Sequence, residues 1–224
     1  MASPRLCVVS GQSADVTACL LCQILSAQGR TGLAALTGGF GGGAEALLAR
    51  LEGSGCRYTV VALPEDDFGH IQRSIDTAVI LTRGTGEAAR GFVGRCQNAV
   101  VNLDDPDGVV ETPRDVRLWT ISERHNEADL TAKNLRLLPF RTEFEAVSSN
   151  AICRLSVPLP DGRGLYPGLA AAAAALTFGV SLGESARCIR RAEPVPVGMI
   201  PLPGAGPFAA AGYFERETER IREI

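Results

Sequence analysis

The chain has 224 residues, of which 46% are hydrophobic and 21% are charged. These proportions are ordinary for a globular protein, and they exclude a disordered or collagen-like chain. The length corresponds to roughly one and a half domains, and it is enough to bury a full core without disulfide or metal staples. The formal net charge of −3 gives no electrostatic signature of nucleic-acid binding, so we expect no nucleic-acid partner.

Targeting signals are not evident in the sequence. The apolar run from Leu6 to Ser10 is too short for the core of a signal peptide. The longest apolar stretch, Leu165 to Phe178, is interrupted by Pro167 and Gly168 and is too short to cross a membrane. The seven cysteines have no regular spacing. We therefore expect a cytoplasmic protein with reduced thiols and no membrane insertion.

Strand and helix patterns alternate along the first half of the chain. Short apolar runs predict strands at 6–10, 32–36, 58–63, 77–81, 99–103 and 116–120. Amphipathic or alanine-rich stretches predict helices at 14–27, 44–51, 67–75 and 86–95. Strands that alternate with helices predict an α/β fold, in which a mostly parallel sheet is flanked by helices.

The pattern changes after Ser122. Three segments with short polar joints predict a small antiparallel patch at 130–138, 143–147 and 151–157. Helices are predicted at 169–178 and 183–191, followed by a linker at 194–207, a strand at 208–213 and a charged helix at 215–224. We divide the chain into a main domain, residues 1–200, and a terminal segment, residues 201–224, which holds the linker, the strand and the helix.

The first strand runs into a glycine turn and then a helix, the layout that binds phosphate through backbone N–H groups and the helix dipole. The phosphate-loop pattern requires a lysine and a hydroxyl residue after its second glycine. Here Asp15 stands at the lysine position and Val16 at the hydroxyl position. Gly11, Ser13 and Thr17 are the residues that remain for a weak, vestigial phosphate site. The simpler interpretation of Asp15 is that it favours the helix dipole.

Several motifs together resemble the central, ATP-binding domain of the Mur ligases, which join an amino acid to a UDP-muramoyl-peptide. The closest resemblance is to the ligase that adds the third peptide residue. The most specific match is Val100 to Pro106, which is similar to the family segment VIN-x-DDP. Asp129 to Arg136 resembles its A-x-N-I-R strand, Leu159 to Ser181 the entry to its alanine-rich helix, and Pro194 to Met199 its exit segment. The resemblance covers most of residues 5–200 and implies a P-loop-like central domain.

The departures from the family pattern fall on its functional positions. Asp15 replaces the phosphate-loop lysine, and Ala62 lies near the position of the magnesium-binding glutamate. Residues 82–86 lack the family's histidine and acids, and residues 164–168 lack its two asparagines near adenine. Lys133, the only lysine of the chain, lies on a different element from the carbamylated lysine of the family. These differences together suggest a domain that no longer performs the ATP chemistry.

Other residues with chemical potential have simpler structural explanations, although functional roles stay open. The glycine-rich segment 38–43 is typical of a flexible loop, because it lacks the dinucleotide-binding pattern. Cys19 and Cys22 have C-x-x-C spacing but fall in an apolar helix, so we interpret them as core thiols. The same interpretation, structural rather than catalytic or metal-binding, applies to the remaining candidates: His70, His125, the loop Glu65 to Asp67, and the turn Asp104 to Pro106.

The leading hypothesis is a non-catalytic, Mur-ligase-like protein that acts as a binding or scaffolding subunit. It predicts no catalytic residue, no metal and no cofactor, and either a homodimer or a partner protein. The competing hypothesis is an active ATP-dependent amide ligase with a rebuilt nucleotide site, and only that alternative requires ATP and Mg²⁺. A third possibility is binding of a sugar nucleotide or a peptidyl ligand without turnover.

Overall fold

A computed structural model describes residues 4–36, 55–63, 65–81, 91–105 and 113–192, together with the helical residues 45, 48, 49, 51 and 53. Only the backbone is described for residues 35–36, 65–67, 208–214 and 222–223.

The described residues form eleven strands, one 3-10 helix, Glu65–His70, and three α-helices that are described from end to end; residues 45, 48, 49, 51, 53 and 91–93 are also helical. The strands are β1 (Arg5–Gly11), β2 (Thr31–Leu36), β3 (Tyr58–Ala62), β4 (Ile75–Leu81), β5 (Cys96–Asn102), β6 (Arg117–Ser122), β7 (Leu130–Leu138), β8 (Arg141–Val147), β9 (Ile152–Val157), β10 (Phe208–Phe214) and β11 (Arg222–Glu223). The helices are α1 (Ala14–Ser26), α2 (Leu165–Thr177) and α3 (Leu182–Arg191).

All eleven strands belong to one mixed sheet with the order β11-β10-β2-β3-β1-β4-β5-β6-β7-β8-β9. The seven strands from β2 to β7 are parallel, and the strands at both ends of the sheet are antiparallel. The chain builds the sheet first on one side of β1 and then on the other. This confirms the predicted α/β class with a small antiparallel patch.

Side chains alternate between two cores, one on each face of the sheet. In β1, Cys7 and Val9 contribute to the core that α1, α2 and α3 cover, whereas Leu6 and Val8 contribute to the core on the opposite face. The opposite core includes the stacked rings of Phe68 and Phe92, with centroids 4.0 Å apart. Burial on both faces explains why these strands are continuous apolar runs.

The antiparallel patch contains a β-bulge at Asn134. The register shifts between Lys133 and Arg136, so that two residues of β7 lie opposite one residue of β8. Asn134 has a φ of 53°, a left-handed conformation that asparagine tolerates better than most residues. Its side-chain amide donates a hydrogen bond to Glu145 Oε2 at 2.6 Å, which holds the bulge in place.

α2 lies unusually close to the sheet because its first turns contain glycine. A Cβ atom at Gly168 would lie 2.5 Å from Val157 Cγ2 and 3.5 Å from Phe144 Cζ. The next residues of α2, Ala170 to Ala175, are fully buried between the sheet and the other helices. Small side chains therefore set the distance between this helix and the sheet.

Contacts to the sheet also hold the carboxyl end of α2. Arg5, on β1, donates hydrogen bonds to the carbonyl oxygens of Thr177 and Phe178, and its guanidinium lies 4.5 Å from the centre of the Phe178 ring. Arg5 Nε also forms an ion pair with Asp76 Oδ1 at 3.0 Å. A cation at this end is favourable, because the last carbonyl groups of a helix carry partial negative charge.

Two predicted helices differ from the structure. Where the sequence predicts a helix at 67–75, the structure has a short 3-10 helix at 65–70, and β4 begins at Ile75. The predicted charged helix 215–224 is wrong at Arg222 and Glu223, which pair with β10 as a strand, while residues 215–221 lie outside the described residues. Charge alternation at helical spacing did not distinguish a helix from this edge strand. The predicted strand 208–213 is confirmed as β10.

The seven cysteines are all free, and burial raises the pKa of Cys19 to about 11. Cys19 and Cys22 lie buried in α1, which confirms their assignment to the core. None of the helices that the structure describes is long and apolar enough to cross a membrane.

The packing of α2 generates a prediction. Glycine in a helix normally destabilises it by about 0.5–1 kcal/mol relative to alanine. At Gly168 we expect alanine to be less stable than glycine, because the new methyl group would overlap Val157. We expect Gly168→Ala to lower the free energy of unfolding by about 1–3 kcal/mol, as measured by urea denaturation.

Gly183, in the first turn of α3, is the matched control, because a Cβ atom there has no contact closer than 3.9 Å. We expect Gly183→Ala to raise the free energy of unfolding by about 0.4–1 kcal/mol. A Gly168→Ala protein as stable as the Gly183→Ala protein would contradict the close approach of α2 to the sheet.

Candidate functional site

The strand order reverses at β1, and ligands of open α/β sheets bind at the carboxyl ends of the strands near such a reversal. A cavity of about 730 Å³ lies at this position. Its lining comes from the segments that follow β1, β5 and β6, from the end of β4 and from the start of α2. The lining residues are Gln12, Ser13, Leu81, Asn102, Asp104, Asp105, Arg124, Asp161, Gly162, Arg163, Tyr166 and Pro167.

The turn after β1 retains the backbone geometry of an open loop. Gly11 has a φ of 105°, which requires glycine in practice, and Ser13 has a left-handed φ of 61°. α1 begins immediately afterwards at Ala14, and no side chain caps its first N–H groups. Because the first N–H groups of a helix have no partner within it, they stay available to an anion at this rim of the cavity.

The structure brings Gly11 and Ser13, two of the three predicted phosphate-site residues, to this turn. Thr17 is different: it is fully buried, and its hydroxyl donates a hydrogen bond to the Ser13 carbonyl oxygen at 3.0 Å. Its side chain therefore stabilises the first turn of α1. Asp15 lies in the same turn but is not among the residues that line the cavity.

The position of Lys133 separates the chain's single lysine from the loop. Lys133 lies on β7, and its Nζ donates a hydrogen bond to Asn126 Oδ1. The cationic side chains that line the cavity are instead Arg124 and Arg163, which the sequence analysis did not select. Both follow strands in the segments that converge here, but no sequence pattern around them indicates a site.

Asp104 is the most strongly hydrogen-bonded side chain of the cavity wall. Its Oδ1 accepts hydrogen bonds from Ser122 Oγ at 2.6 Å and from the Arg124 N–H at 3.3 Å. Its Oδ2 accepts from the Glu123 N–H at 2.6 Å and from the Tyr166 hydroxyl at 3.0 Å. One carboxylate therefore joins the segments after β5 and β6 to the first turn of α2.

This arrangement determines the charge state of both partners. Burial by itself raises the pKa of Asp104, but the four donated hydrogen bonds outweigh burial and hold the pKa below its usual value. Burial, together with the adjacent Asp104 charge, raises the pKa of Tyr166 to about 12. At neutral pH the pair is therefore an ionised carboxylate and a neutral phenol, with no proton to exchange.

The turn expected at Asp104 is present: the Asp104 N–H donates to Asn102 Oδ1 at 3.1 Å, and the Asp105 N–H donates to the Asn102 carbonyl oxygen at 3.4 Å. Pro106 lies outside the described residues. The motif that carries the family resemblance thus has a structural role as a turn and as the anchor of the Asp104 network.

The remaining candidates do not converge on the cavity. His125 forms an ion-pair contact with Glu127 at 3.2 Å on an exposed loop, and His70 ends the 3-10 helix. Ala62, at the end of β3, is buried and offers no oxygen ligand from its side chain. Within the described part of the chain, no group of three or more metal-ligating side chains is present. The segment 38–43 and the side chains of residues 65–67 lie outside the described residues.

Removing the Asp104 charge is predicted to destabilise the fold. Asp104→Asn keeps the side-chain shape but loses charge-assisted hydrogen bonds, so we expect a loss of about 1–3 kcal/mol in the free energy of unfolding. Because the pKa of Asp104 is lowered in the folded state, its stabilisation is complete well above about pH 4 and is lost as the pH falls below that value.

The difference between wild type and Asp104→Asn should therefore be largest near neutral pH and should shrink in acid, as measured by urea denaturation at several pH values. Tyr166→Phe removes one of the four hydrogen bonds and should cost less, about 0.5–1.5 kcal/mol. A pH-independent difference would show that the Asp104 charge does not hold these segments together.

No family model matches the chain, and no curated protein matches it in sequence. Solved structures do match it. A UDP-N-acetylmuramoyl-L-alanyl-D-glutamate–2,6-diaminopimelate ligase superposes with a TM-score of 0.73 at 19% identity, over 87% of this chain and 47% of that protein. A UDP-N-acetylmuramoylalanyl-D-glutamyl-2,6-diaminopimelate–D-alanyl-D-alanyl ligase from Acinetobacter baumannii superposes with a TM-score of 0.70 at 19% identity, over 90% of this chain and 50% of that protein.

A pseudomurein peptide ligase type C from Methanothermus fervidus superposes with a TM-score of 0.61 at 14% identity, over 87% of this chain and 50% of that protein. The chain thus spans about half the length of the structures that it matches. At these identities the likeness concerns the fold alone. The chain has the α/β fold of a Mur-ligase-type domain.

Proposed function

We propose that this chain is a non-catalytic binding or scaffolding subunit with a Mur-ligase-type fold. The observation that carries the proposal is the composition of the loop and its surroundings. The backbone turn that would face a phosphate is retained, whereas Asp15 stands in its first helical turn and Ala62 ends the neighbouring strand. The cavity can therefore bind a ligand, but its described surroundings have no lysine at the loop and no carboxylate at the end of β3, the groups that would neutralise a triphosphate and hold its metal ion.

Electrostatics supports this proposal. A carboxylate about 4 Å from a phosphate charge is repelled by about 1 kcal/mol in water and more strongly in a protein groove. The cavity lining also contains three carboxylates, Asp104, Asp105 and Asp161, against the two guanidinium groups of Arg124 and Arg163. This balance favours a ligand of low net charge over a polyphosphate.

The alternative, an active ATP-dependent amide ligase with a rebuilt site, is favoured by one observation. The first turn of α1 has no side-chain cap, and Arg124 and Arg163 line the same cavity. These groups could contact an anion without a loop lysine. Under this alternative ATP and Mg²⁺ are required, and the activity is that of an acid–amino acid ligase, like the activity in the names of the matched structures.

Calorimetric titration with Mg-ATP, combined with a phosphate-release assay in the presence of amino acids, distinguishes the two functions. We expect no micromolar binding of Mg-ATP and no phosphate release that depends on an amino acid. Micromolar binding of Mg-ATP, or phosphate release that depends on an amino acid, would overturn the proposal and support the ligase.

A charge-reversal variant tests the physical reason. Asp15→Lys changes the loop charge by two units, and we expect it to bind Mg-ATP at least about tenfold more tightly than wild type, equivalent to about 1.4 kcal/mol. Asp115→Lys is the control. Asp115 is exposed just before the amino end of β6, so this variant makes the same change in net charge at the opposite edge of the sheet. An equal effect of the two variants would contradict a local role for Asp15.

A further inference from the structure

Exposed apolar side chains are concentrated on one hairpin. Within the described residues, five large apolar side chains are exposed. Four of them lie in a six-residue stretch of the β7–β8 hairpin, and the fifth, Ile152, begins β9. These four are Leu135, Leu137, Leu138 and Phe140, with Phe140 at the turn 85% exposed. We call them the hairpin patch. Exposed apolar side chains that cluster in this way mark interaction sites on soluble proteins.

The hairpin patch lies on a strand edge that has no neighbouring strand among the described residues. β7 pairs with β6 at only two positions, Leu130 and Thr131, and its remaining residues extend past the end of β6. Along Arg136 to Leu138 the structure gives β7 one neighbouring strand, β8. An exposed apolar edge is a template for pairing with another strand, and proteins that remain monomeric usually blunt such edges with charges.

The two faces of the hairpin carry different kinds of side chain next to the hairpin patch. Leu137 lies opposite Thr142, on the face that α2 covers further along the hairpin, and it approaches Gly162 at the rim of the cavity. On the other face, Glu145 forms an ion pair with Arg154 and Ser156 donates a hydrogen bond to Glu143. On that face the body of the hairpin is therefore polar and hydrogen-bonded, whereas the tip of the hairpin carries exposed apolar side chains.

We propose that a second copy of this chain packs on the hairpin patch. The two β7 strands pair edge to edge, and the two-fold axis lies between the two copies of Leu137. The same edge in two copies is self-complementary when the strands run antiparallel. An axis perpendicular to the sheet places residues of the same face opposite each other, so it lies between the two copies of Arg136, of Leu137 or of Leu138. Because β7 ends at Leu138, an axis there pairs the shortest length of strand, which leaves Arg136 and Leu137. The first arrangement opposes two like charges and is unfavourable, whereas the second opposes two leucines.

The charges around the patch agree with the Leu137-centred arrangement. Arg136 of one copy then lies beside Leu138 of the other, so that its aliphatic stem covers apolar surface while its charge stays in solvent. Within its own copy, Arg136 lies opposite Glu143, which offsets the charge of the paired edges. The hairpin patch has four exposed side chains, far fewer than the roughly 20–30 residues per partner of a standard interface, so the dimer is expected to dissociate on dilution.

The proposal concerns a surface outside the cavity and does not depend on whether the cavity has activity. Its test is the oligomeric state, measured by sedimentation equilibrium over a wide range of concentrations. We expect wild type to shift from monomer to dimer as its concentration rises, and Leu137→Arg to remain a monomer throughout. Leu137 is 59% exposed, so the substitution should leave the thermal unfolding midpoint nearly unchanged.

Ile152→Arg is the matched control, because Ile152 is 67% exposed at the opposite end of the same antiparallel patch. We expect it to dimerise as wild type does. A wild-type chain that stays monomeric at every concentration, even if it binds another protein or a lipid surface, would overturn the proposal. A Leu137→Arg variant that dimerises normally, or an Ile152→Arg variant that does not dimerise, would also overturn it.

Disulfide trapping tests the register without relying on a disruptive substitution. Directly opposite residues of antiparallel strands have Cα atoms about 4.5–5.5 Å apart, within the range that a disulfide spans. We expect Leu137→Cys to form a covalent dimer under mild oxidation, and wild type and Ile152→Cys to remain uncrosslinked. Absence of a crosslink in Leu137→Cys, or equal crosslinking of Ile152→Cys, would exclude the proposed axis.

Discussion

The close approach of α2 to the sheet is the constraint on which the rest of this structure depends. Gly168 and the buried alanines of α2 let the helix backbone approach Val157 and Phe144 within van der Waals contact. Arg5 then holds its carboxyl end and the Tyr166 hydroxyl holds its amino end. A larger side chain in this helix would separate the antiparallel patch from the parallel sheet, because α2 packs against both.

The cavity is a consequence of the same arrangement. Its walls come from segments that are distant in sequence, and Asp104 joins them through one carboxylate that accepts four hydrogen bonds. Those bonds keep Asp104 ionised and consume its acceptor capacity, so it shapes the wall and is not free for proton transfer. Among the described lining residues, the groups that remain for a ligand include the turn after β1, the two arginines Arg124 and Arg163, and the exposed Asp161.

The backbone fold of this domain and the side chains at its phosphate-loop position lead to different expectations about function. The fold is that of a Mur-ligase-type domain, while the first turn of α1 carries the Asp15 carboxylate and the single lysine lies on β7. A fold is maintained by many apolar contacts that tolerate substitution, whereas phosphate chemistry depends on a few charges at fixed positions. The proposed binding role and the hairpin patch both follow from side chains that the fold itself does not require.

Much of the architecture was determined by the sequence alone. Continuous apolar runs such as those of β1 and β3 are buried on both faces, and this burial is what a parallel sheet covered by helices requires. The strand, glycine turn and helix around Gly11 and Ser13 were also predicted from sequence, because the three are adjacent there, and phosphate binding at this turn stays a prediction. The 3-10 turn at 65–70 and the strand pairing of Arg222 and Glu223 were missed, since short elements depend on tertiary contacts more than on local periodicity.

Only the tertiary structure decided which side chains meet. Arg124 and Arg163 join the cavity because strand ends converge at one edge of the sheet, and no local pattern marks them. Thr17 matched the phosphate-loop spacing, but its hydroxyl is used within α1. Leu135 to Leu138 had the composition of a core strand, yet they are exposed because β7 extends past the end of β6. Sequence periodicity specifies which faces of an element are apolar, whereas the length of the neighbouring strand decides whether those faces are covered.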